Sequence, residues 1–175
     1  MSVPLVKSAQ TIKINEALVS DWASWCPKHL KTIELAYPSI SETGLIEILN
    51  KSFYASRKIA EINVAIIRSV FKILGVNCET ALSSELRCDG QRSQKLASIV
   101  RTVGADVYLS PEGSRQYLEA DDFSNRFGIE LLFQRYTPPP YAQRKSENFV
   151  SHLSIIDVIG SMGVDFASSY IRRDE

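Results

Sequence analysis

The sequence predicts an α/β fold, in which a small, mostly parallel sheet is flanked by helices in a three-layer, Rossmann-like arrangement, with helical additions at both ends. Two observations carry this prediction. A helix-like segment lies between two short strand-like segments, and the same arrangement then recurs further along the chain. Because a strand, a helix and a second strand in this order form a crossover, the strands are predicted to be parallel.

Composition limits the domain count and the class of partner. The chain has 175 residues, of which 45% are hydrophobic, which is enough for one sizeable core, so we expect a single domain over residues 1–175. Lys+Arg and Asp+Glu number 20 each, so the basic surface that nucleic-acid binding requires is not expected. No apolar run is long enough to span a membrane, which predicts a soluble, cytoplasmic protein.

The cysteines indicate neither a disulfide framework nor a metal site. Cys26, Cys78 and Cys88 are odd in number and widely spaced, and the two histidines are distant from each other in sequence. Structural zinc sites need closely spaced pairs of such ligands. We therefore expect reduced thiols, no metal and no cofactor.

The N-terminal half is predicted to be mostly helical. Residues 2–13 have the character of weak strands. Apolar residues at helical spacing then predict a helix over 27–38, beginning at Pro27, and another from Ser41 to Phe53. The clearest helix runs from an N-cap at Ser56 to Gly75.

The crossovers follow this helical region. β-forming residues alternate with segments of helical periodicity, and glycines stand where the helices should end. The predicted elements are a strand at 78–82, a helix at 93–103, a strand at 106–109, a helix at 114–127, a strand at 129–136 and, after a proline-rich loop, a helix over 152–170 that breaks at Gly160 or Gly163.

The loop after strand 106–109 is the first candidate site. Ser110, Gly113 and Arg115 offer a hydroxyl group, free backbone N–H groups and a guanidinium at a helix start, which are anion-binding groups. Tyr117, in the helix that follows, is a further candidate for ligand binding. The alternative is an ordinary strand-to-helix turn, with Ser114 as N-cap and Arg115 in solvent.

Two further segments could handle a proton. Ser84 and Glu85 follow strand 78–82 and would lie beside the anion loop, where Glu85 could act as a general base and Ser84 could bind substrate; the alternative is a helix-capping role. His29 has Lys28 and Lys31 near it in sequence, which favours a neutral imidazole that could carry a proton. The alternative for His29 is a surface or capping residue.

Tyr141 and Gln143 stand on a stiff segment beside Pro138, Pro139 and Pro140. An aromatic ring and an amide on such a frame suit the stacking and orientation of a sugar. The alternative is a loop that only packs against the domain. Ser154 and Asp157 have the spacing of a capping box at the start of the last helix.

An ordered set of short segments along the whole chain is similar to the WbqC-like family. The set comprises His29–Ile33 with Ala36-Tyr37, Leu74-Gly75, Ser83–Leu86, Gly104-Ala105, Tyr108–Ser110, Gly113, Tyr117-Leu118, Tyr136, Pro139, Tyr141, Gln143, Phe149, Leu153–Asp157 and Gly163. The His-Gln-Pro segment that usually opens members of the family has no counterpart here, which indicates an N-terminally shortened member or a misassigned start.

This resemblance implies a role in bacterial surface-polysaccharide (O-antigen) biosynthesis. Its implied activity is the transfer of glycine or a similar acyl group to a sugar or nucleotide sugar, with Glu85 and His29 as catalytic candidates. The alternative is a non-catalytic assembly or scaffold subunit of a glycan-modifying system. A shortened chain would also leave an apolar face uncovered, which predicts self-association.

Overall fold

The structure is a computed structural model that describes residues 1–7, 12–144 and 146–172. It divides into two compact units. Unit 1 contains residues 1–78 and 138–175, and unit 2 contains residues 79–137. Unit 2 is thus one continuous insertion in the sequence of unit 1. The prediction of a single domain over residues 1–175 stays a prediction.

Unit 1 is helical, as expected of the two additions. A 3₁₀ turn at Pro38–Thr43 connects its first two helices, and Gly163 separates its last two. Its helices are α1 (Trp22–Ala36), α2 (Leu45–Phe53), α3 (Ile59–Ile73), α7 (Ile155–Met162) and α8 (Val164–Ile171).

Helix α1 begins five residues before the predicted start at Pro27, which lies inside the helix. Tertiary contacts hold this early turn, because Trp25 is 5% exposed and the Trp22 Nε1–H donates to the Phe53 carbonyl at 2.6 Å. Packing of two indole rings therefore outweighs the cost of a proline in the helix.

The core of unit 1 joins residues from both ends of the chain. Side chains from α1, α2 and α3 pack with residues of α7 and α8 in one buried cluster. Its largest fully buried members are Ile40, Leu45, Leu49, Ile62 and Ile159. The last two helices of the chain are thus part of this core.

Unit 2 contains the parallel sheet. Its helices are α4 (Arg92–Thr102), α5 (Arg115–Ala120) and α6 (Phe123–Phe127), and its strands are β1 (Val107–Pro111) and β2 (Glu130–Gln134). The strands pair in parallel, with Val107 opposite Glu130 and Leu109 opposite Leu132. The α/β class with a small parallel sheet flanked by helices is confirmed, and the three-layer arrangement stays a prediction.

The predicted strand at 78–82 is wrong. The segment is irregular, and Cys78, Glu79 and Thr80 are exposed. A strand of a small sheet is stable only when one of its faces is buried, and this segment brings a single apolar side chain, Leu82, to a half-buried position. The sheet described here therefore has two strands rather than three.

The predicted helix over 114–127 is interrupted. A 3₁₀ turn at Glu112–Ser114 leads into α5, and Asp122 then adopts a left-handed backbone (φ 49°) before α6 begins. Asp tolerates this conformation better than most residues. Asp121, beside it, accepts a 2.5 Å hydrogen bond from the hydroxyl of Ser93, which is buried at the start of α4. This hydrogen bond anchors the break between α5 and α6 to the start of α4.

The predicted N-cap of α3 is also shifted. Lys58, not Ser56, occupies the N-cap position. The Ser56 hydroxyl instead accepts a hydrogen bond from the Lys58 N–H at 3.0 Å, so it orders the turn before the helix. At the N-terminus, Leu5 forms an isolated antiparallel bridge with Val19, whereas residues 8–11 of the predicted weak strands lie outside the described residues.

Candidate functional site

A buried carboxylate in unit 1 is the centre of the candidate site. Asp157, in the first turn of α7, is 7% exposed. Its Oδ1 accepts a hydrogen bond from the Tyr37 hydroxyl at 2.6 Å, and its Oδ2 accepts one from the Tyr141 hydroxyl at 2.5 Å. Buried charges are stable in proteins when they are paired or hydrogen-bonded in this way.

Gln143 extends this network. Its Nε2 lies 3.4 Å from Asp157 Oδ2 and 3.2 Å from the Tyr141 hydroxyl oxygen. The same amide is fixed at its other side, because Nε2 donates to the Val150 carbonyl at 2.8 Å and Oε1 accepts from the Val150 N–H at 2.7 Å. The amide is therefore held in one orientation.

Asp157 joins three segments that are distant in sequence. Tyr37 ends α1 and precedes the 3₁₀ turn Pro38–Thr43, Tyr141 belongs to the proline-rich segment, and Asp157 itself lies on α7. The approach of Tyr37 to α7 is close, since a Cβ atom placed on Gly160 would lie 2.4 Å from Tyr37 Cγ. Glycine at this position therefore lets the ring lie against the helix.

The same three segments border an open cleft of about 630 Å³. It is lined by Ser39, Glu42 and Thr43 from the 3₁₀ turn, and by residues 142–144 and 160–165. Hydroxyl, amide and charged groups predominate in this lining. Such groups suit a polar, hydroxyl-bearing ligand better than an apolar one.

The network perturbs the titration of one tyrosine. Burial raises the pKa of Tyr37 well above its usual range, and the hydrogen bond to Asp157 raises it further. The raised pKa keeps the hydroxyl protonated, and able to donate to the carboxylate, to a higher pH than an exposed tyrosine. The hydroxyl serves to hold the carboxylate rather than to exchange its own proton.

Arg115 lies in unit 2, and its guanidinium is already hydrogen-bonded to neighbouring carboxylates. Its Nε and Nη2 donate to both carboxylate oxygens of Glu112 at 2.5 and 2.9 Å, and Nη1 donates to Glu119 at 2.9 Å. The guanidinium also lies 4.0 Å from the centre of the Phe133 ring. These bonds raise the pKa of Arg115 above its usual range, with Glu112 as the main cause.

The other residues of the predicted anion loop differ in accessibility. Ser110 is fully buried, and its hydroxyl has no hydrogen-bond partner among the residues that the structure describes. Gly113 and Tyr117 are exposed, and a Cβ on Gly113 would meet nothing within 4 Å. The backbone beside Gly113 is thus accessible, whereas Ser110 faces the interior of unit 2.

Ser84 and Glu85 lie on an exposed turn of unit 2, where the Glu85 N–H bonds to the Leu82 carbonyl at 2.9 Å. Because residues 78–82 do not form a strand, the reason for expecting this turn beside the loop of Arg115 no longer holds. Their predicted roles stay predictions.

His29 is half-buried on α1, with its ring 5.2 Å from that of Trp25 and 6.3 Å from that of Phe53. Burial lowers the pKa of His29 below its usual value, and the positive charge of the Met1 amino group lowers it further. Burial, rather than the neighbouring lysines, is therefore the main reason for a neutral imidazole. Its predicted role as a proton carrier stays a prediction.

The role of Asp157 was not predicted from the sequence. The capping-box interpretation is right for Ser154, whose hydroxyl accepts from the Ile156 N–H at 3.3 Å, and wrong for Asp157, whose carboxylate bonds to the two tyrosines. The available signal was an acidic residue between Ile156 and Val158, within an otherwise apolar helical segment.

Metal-binding and membrane-spanning features are absent from the described ranges 1–7, 12–144 and 146–172. In these ranges no cluster of His, Cys, Asp and Glu side chains could hold a metal ion, and no helix is long and apolar enough to cross a membrane. Cys26, Cys78 and Cys88 form no disulfide bond in these ranges.

Comparison with known proteins gives one finding, at the level of the family. No curated protein and no solved structure matches the chain significantly. The model of one family, however, matches residues 1–168, which is nearly the whole sequence and includes both units. The residues around the cleft, Tyr37, Tyr141, Gln143 and Asp157, are among those that carry the sequence resemblance. The chain belongs to the WbqC-like protein family.

Proposed function

We propose that this chain acts in bacterial surface-polysaccharide (O-antigen) biosynthesis, as a transferase of glycine or a similar acyl group to a sugar or nucleotide sugar. Membership of the WbqC-like family supports the polysaccharide assignment. The observation that carries the proposal is the polar cleft bordered by the three segments that Asp157 joins. Its lining offers hydrogen-bonding groups of the kind that recognise sugar hydroxyl groups.

Gln143 is the group of the network that lines the cleft. An amide oxygen has two lone pairs, and the Val150 N–H takes one of them, so the second can accept a bond from a sugar hydroxyl. Because Tyr141, Val150 and Asp157 already fix the amide, little entropy is lost when a ligand binds. Gln143 orients the sugar, and Tyr141 holds Gln143.

The transfer itself needs an activated acyl donor, such as an ester or thioester. The acceptor's hydroxyl or amino group attacks the donor carbonyl, a new C–O or C–N bond forms, and the bond to the leaving group breaks. The proton released by the acceptor passes to a base and then to the leaving group. Glu85 and His29 stay the proposed bases, and neither is among the residues that line the cleft. The lowered pKa of His29 keeps its imidazole neutral and able to accept a proton.

The loop of Arg115 is proposed as a separate site for an anionic group such as a diphosphate, with the exposed Gly113 and Tyr117 as further substrate-binding candidates in that loop. Ser84 and the buried Ser110 stay substrate-binding candidates on the sequence pattern alone. Arg115 has five N–H donors, and the bonds to Glu112 and Glu119 occupy three of them. Two carboxylates beside the guanidinium oppose a second anion, so phosphate must compete with Glu112 for Arg115.

Calorimetric titration with UDP-glucose and UDP-N-acetylglucosamine tests the proposal. We expect binding by the wild-type protein, at least about tenfold weaker binding by Gln143→Ala, and unchanged binding by Gln116→Ala, which removes an exposed amide in unit 2. Weaker binding by Arg115→Ala would support the separate anion site. If the wild type binds neither probe, the sugar-binding proposal is overturned.

One observation favours a second candidate, a non-catalytic scaffold subunit. On the outer face of the sheet, Val107, Leu109 and Leu132 are 39%, 58% and 46% exposed. Parallel strands are usually covered on both faces, so an apolar face of this kind suits a protein partner or self-association. Light scattering after size exclusion, combined with a pull-down, separates the candidates: a stable hetero-complex with no heat from either nucleotide sugar favours the scaffold.

A further inference from the structure

Ser161, on the α7 wall of the cleft, has a hydroxyl group that the fold does not use. Its Oγ atom is buried and has no hydrogen-bond partner among the residues that the structure describes. Ser161 lies four residues after Asp157, and therefore on the same face of the helix. Buried hydroxyl groups are nearly always hydrogen-bonded, because an unpaired one loses its bonds to water without replacement.

Three other helical hydroxyl groups of this chain are paired with their own helix. Those of Thr32, Thr102 and Ser169 each donate to the carbonyl four residues earlier, at 2.7, 2.8 and 3.1 Å. This back-bonding is the usual solution for Ser and Thr inside a helix. Ser161 does not make the equivalent bond to Asp157, so its hydroxyl remains available for another partner.

Ser161 is half-buried, and its Oγ atom has almost no accessible surface in the rotamer that the structure shows, so contact with a ligand requires rotation about the Cα–Cβ bond. The residue lines the cleft together with its neighbours Gly160 and Gly163, and a Cβ on Gly163 would meet nothing within 4 Å. Gln143 lines the same cleft, and one lone pair of its amide oxygen has no partner among the residues that the structure describes. The α7 wall therefore holds a donor–acceptor hydroxyl that reaches the cleft by rotation about its Cα–Cβ bond, and the wall formed by residues 142–144 holds a fixed acceptor.

We infer that Ser161 is a ligand-contacting, specificity-determining residue, whose hydroxyl bonds to a hydroxyl group of the sugar ring held in the cleft. The inference rests on the proposed function and deepens it. A hydroxyl both donates and accepts, so it matches the hydroxyl groups of a sugar without regard to charge. Ser161 and Gln143 together then select a neutral, hydroxylated ring rather than an apolar acyl chain.

Ser161→Ala gives a test in which stability and binding change in different directions. Removal of an unpaired buried hydroxyl should leave the thermal midpoint unchanged or raise it, because no protein bond is lost. Affinity for the probe, UDP-glucose or UDP-N-acetylglucosamine, should fall about threefold to tenfold. Both quantities are measured on the full chain, by thermal denaturation and by calorimetry.

Ser168→Ala is the matched control, since the Ser168 hydroxyl donates to the Leu74 carbonyl at 2.6 Å within the same unit. This variant should lose stability and keep its affinity. A drop in the midpoint of Ser161→Ala as large as that of Ser168→Ala would show a protein partner for Ser161 and overturn the inference. Unchanged affinity of Ser161→Ala, with weaker binding by Gln143→Ala, overturns the inference alone. No binding by the wild type overturns both the inference and the proposed function.

Discussion

The hydrogen bonds around Asp157 in unit 1 and those around Arg115 in unit 2 differ in burial and in the sequence separation of the residues that they join. We call the first set the carboxylate network and the second the guanidinium network. Asp157 is 7% exposed, and its partners Tyr37 and Tyr141 are 120 and 16 residues away in sequence. Arg115 is 31% exposed and bonds to Glu112 and Glu119, three and four residues away. The first network therefore fixes tertiary structure, whereas the second mainly reinforces one helix start.

This difference indicates which network contributes more to the free energy of unfolding. Hydrogen bonds to a buried charge act in a low dielectric, and the loss of one partner leaves the others unpaired. Exposed ion pairs are screened by water and salt and contribute little. Substitutions in the two networks should therefore differ in size, and the following predictions measure that difference.

Asp157→Ala should have the largest effect. The hydroxyl groups of Tyr37 and Tyr141 lose their acceptor, so the free energy of unfolding should fall by about 3 kcal/mol. Chemical denaturation measures this change. Asp106→Ala, which removes an exposed carboxylate, is the control and should change stability by no more than about 0.5 kcal/mol. Equal losses in the two variants would contradict the central role of Asp157.

Gly160→Ala should come next, at about 2 kcal/mol, because the added methyl group overlaps the Tyr37 ring, which lies within 2.4–2.8 Å of the new Cβ position. Gly113→Ala is the matched control: neither glycine has a positive φ, and its methyl group would meet nothing within 4 Å. The control should stay within about 0.5 kcal/mol of the wild type. Thermal denaturation of both variants tests this prediction. Similar midpoints would disprove the close contact between Gly160 and the Tyr37 ring.

Tyr37→Phe should cost about 1.5 kcal/mol at neutral pH, because Asp157 loses one donor. The pKa of Tyr37 is raised in the folded state above its ordinary value of 10.0, mainly by burial. Above pH 10 the unfolded chain releases the phenolic proton while the folded chain retains it, so wild-type stability falls as the pH rises. The variant has no such proton.

The stability difference between wild type and Tyr37→Phe should therefore shrink as the pH rises above 10. Denaturation curves of both proteins at pH values on either side of 10 test this. A difference that stays constant, or grows, with rising pH would show that Tyr37 is not protected from ionisation by the fold.

Arg115→Leu should have the smallest effect. Leucine keeps an apolar side chain over Phe133 and removes both exposed ion pairs. We expect a small change in the denaturation midpoint at low salt and a smaller one at high salt, because added ions screen the pairs in the wild type. Glu47→Gln, which breaks the exposed pair with Lys51, provides a matched comparison. A loss as large as that of Asp157→Ala would remove the contrast between the networks.

The elements that the sequence predicts well are those that local patterns determine. Apolar spacing and terminal glycines place α3 and α4 within a few residues, and β-forming runs place β1 and β2. The predicted strand at 78–82 is wrong because local patterns do not determine it. A strand depends on a partner strand and on a buried face, and its own residues specify neither.

The candidate site is predicted only in part. Tyr141 and Gln143 were identified from a stiff aromatic segment, and they lie at the cleft or beside it. The sequence indicates a helix cap at Asp157, because Ser154, three residues earlier, completes a familiar local pattern. The contact with Tyr37 spans 120 residues, and no local rule relates residues so far apart.

The discontinuity of unit 1 has a consequence for its synthesis. When residues 1–78 have emerged from the ribosome, the residues of α1 to α3 are all present, but Asp157, the acceptor of the Tyr37 hydroxyl, has not been synthesised. The core also still lacks the side chains of α7 and α8. Unit 2 is translated in full before those helices emerge. The partly formed apolar core of unit 1 is therefore exposed to aggregation until α7 and α8 have been synthesised. The cleft can form only after these two helices.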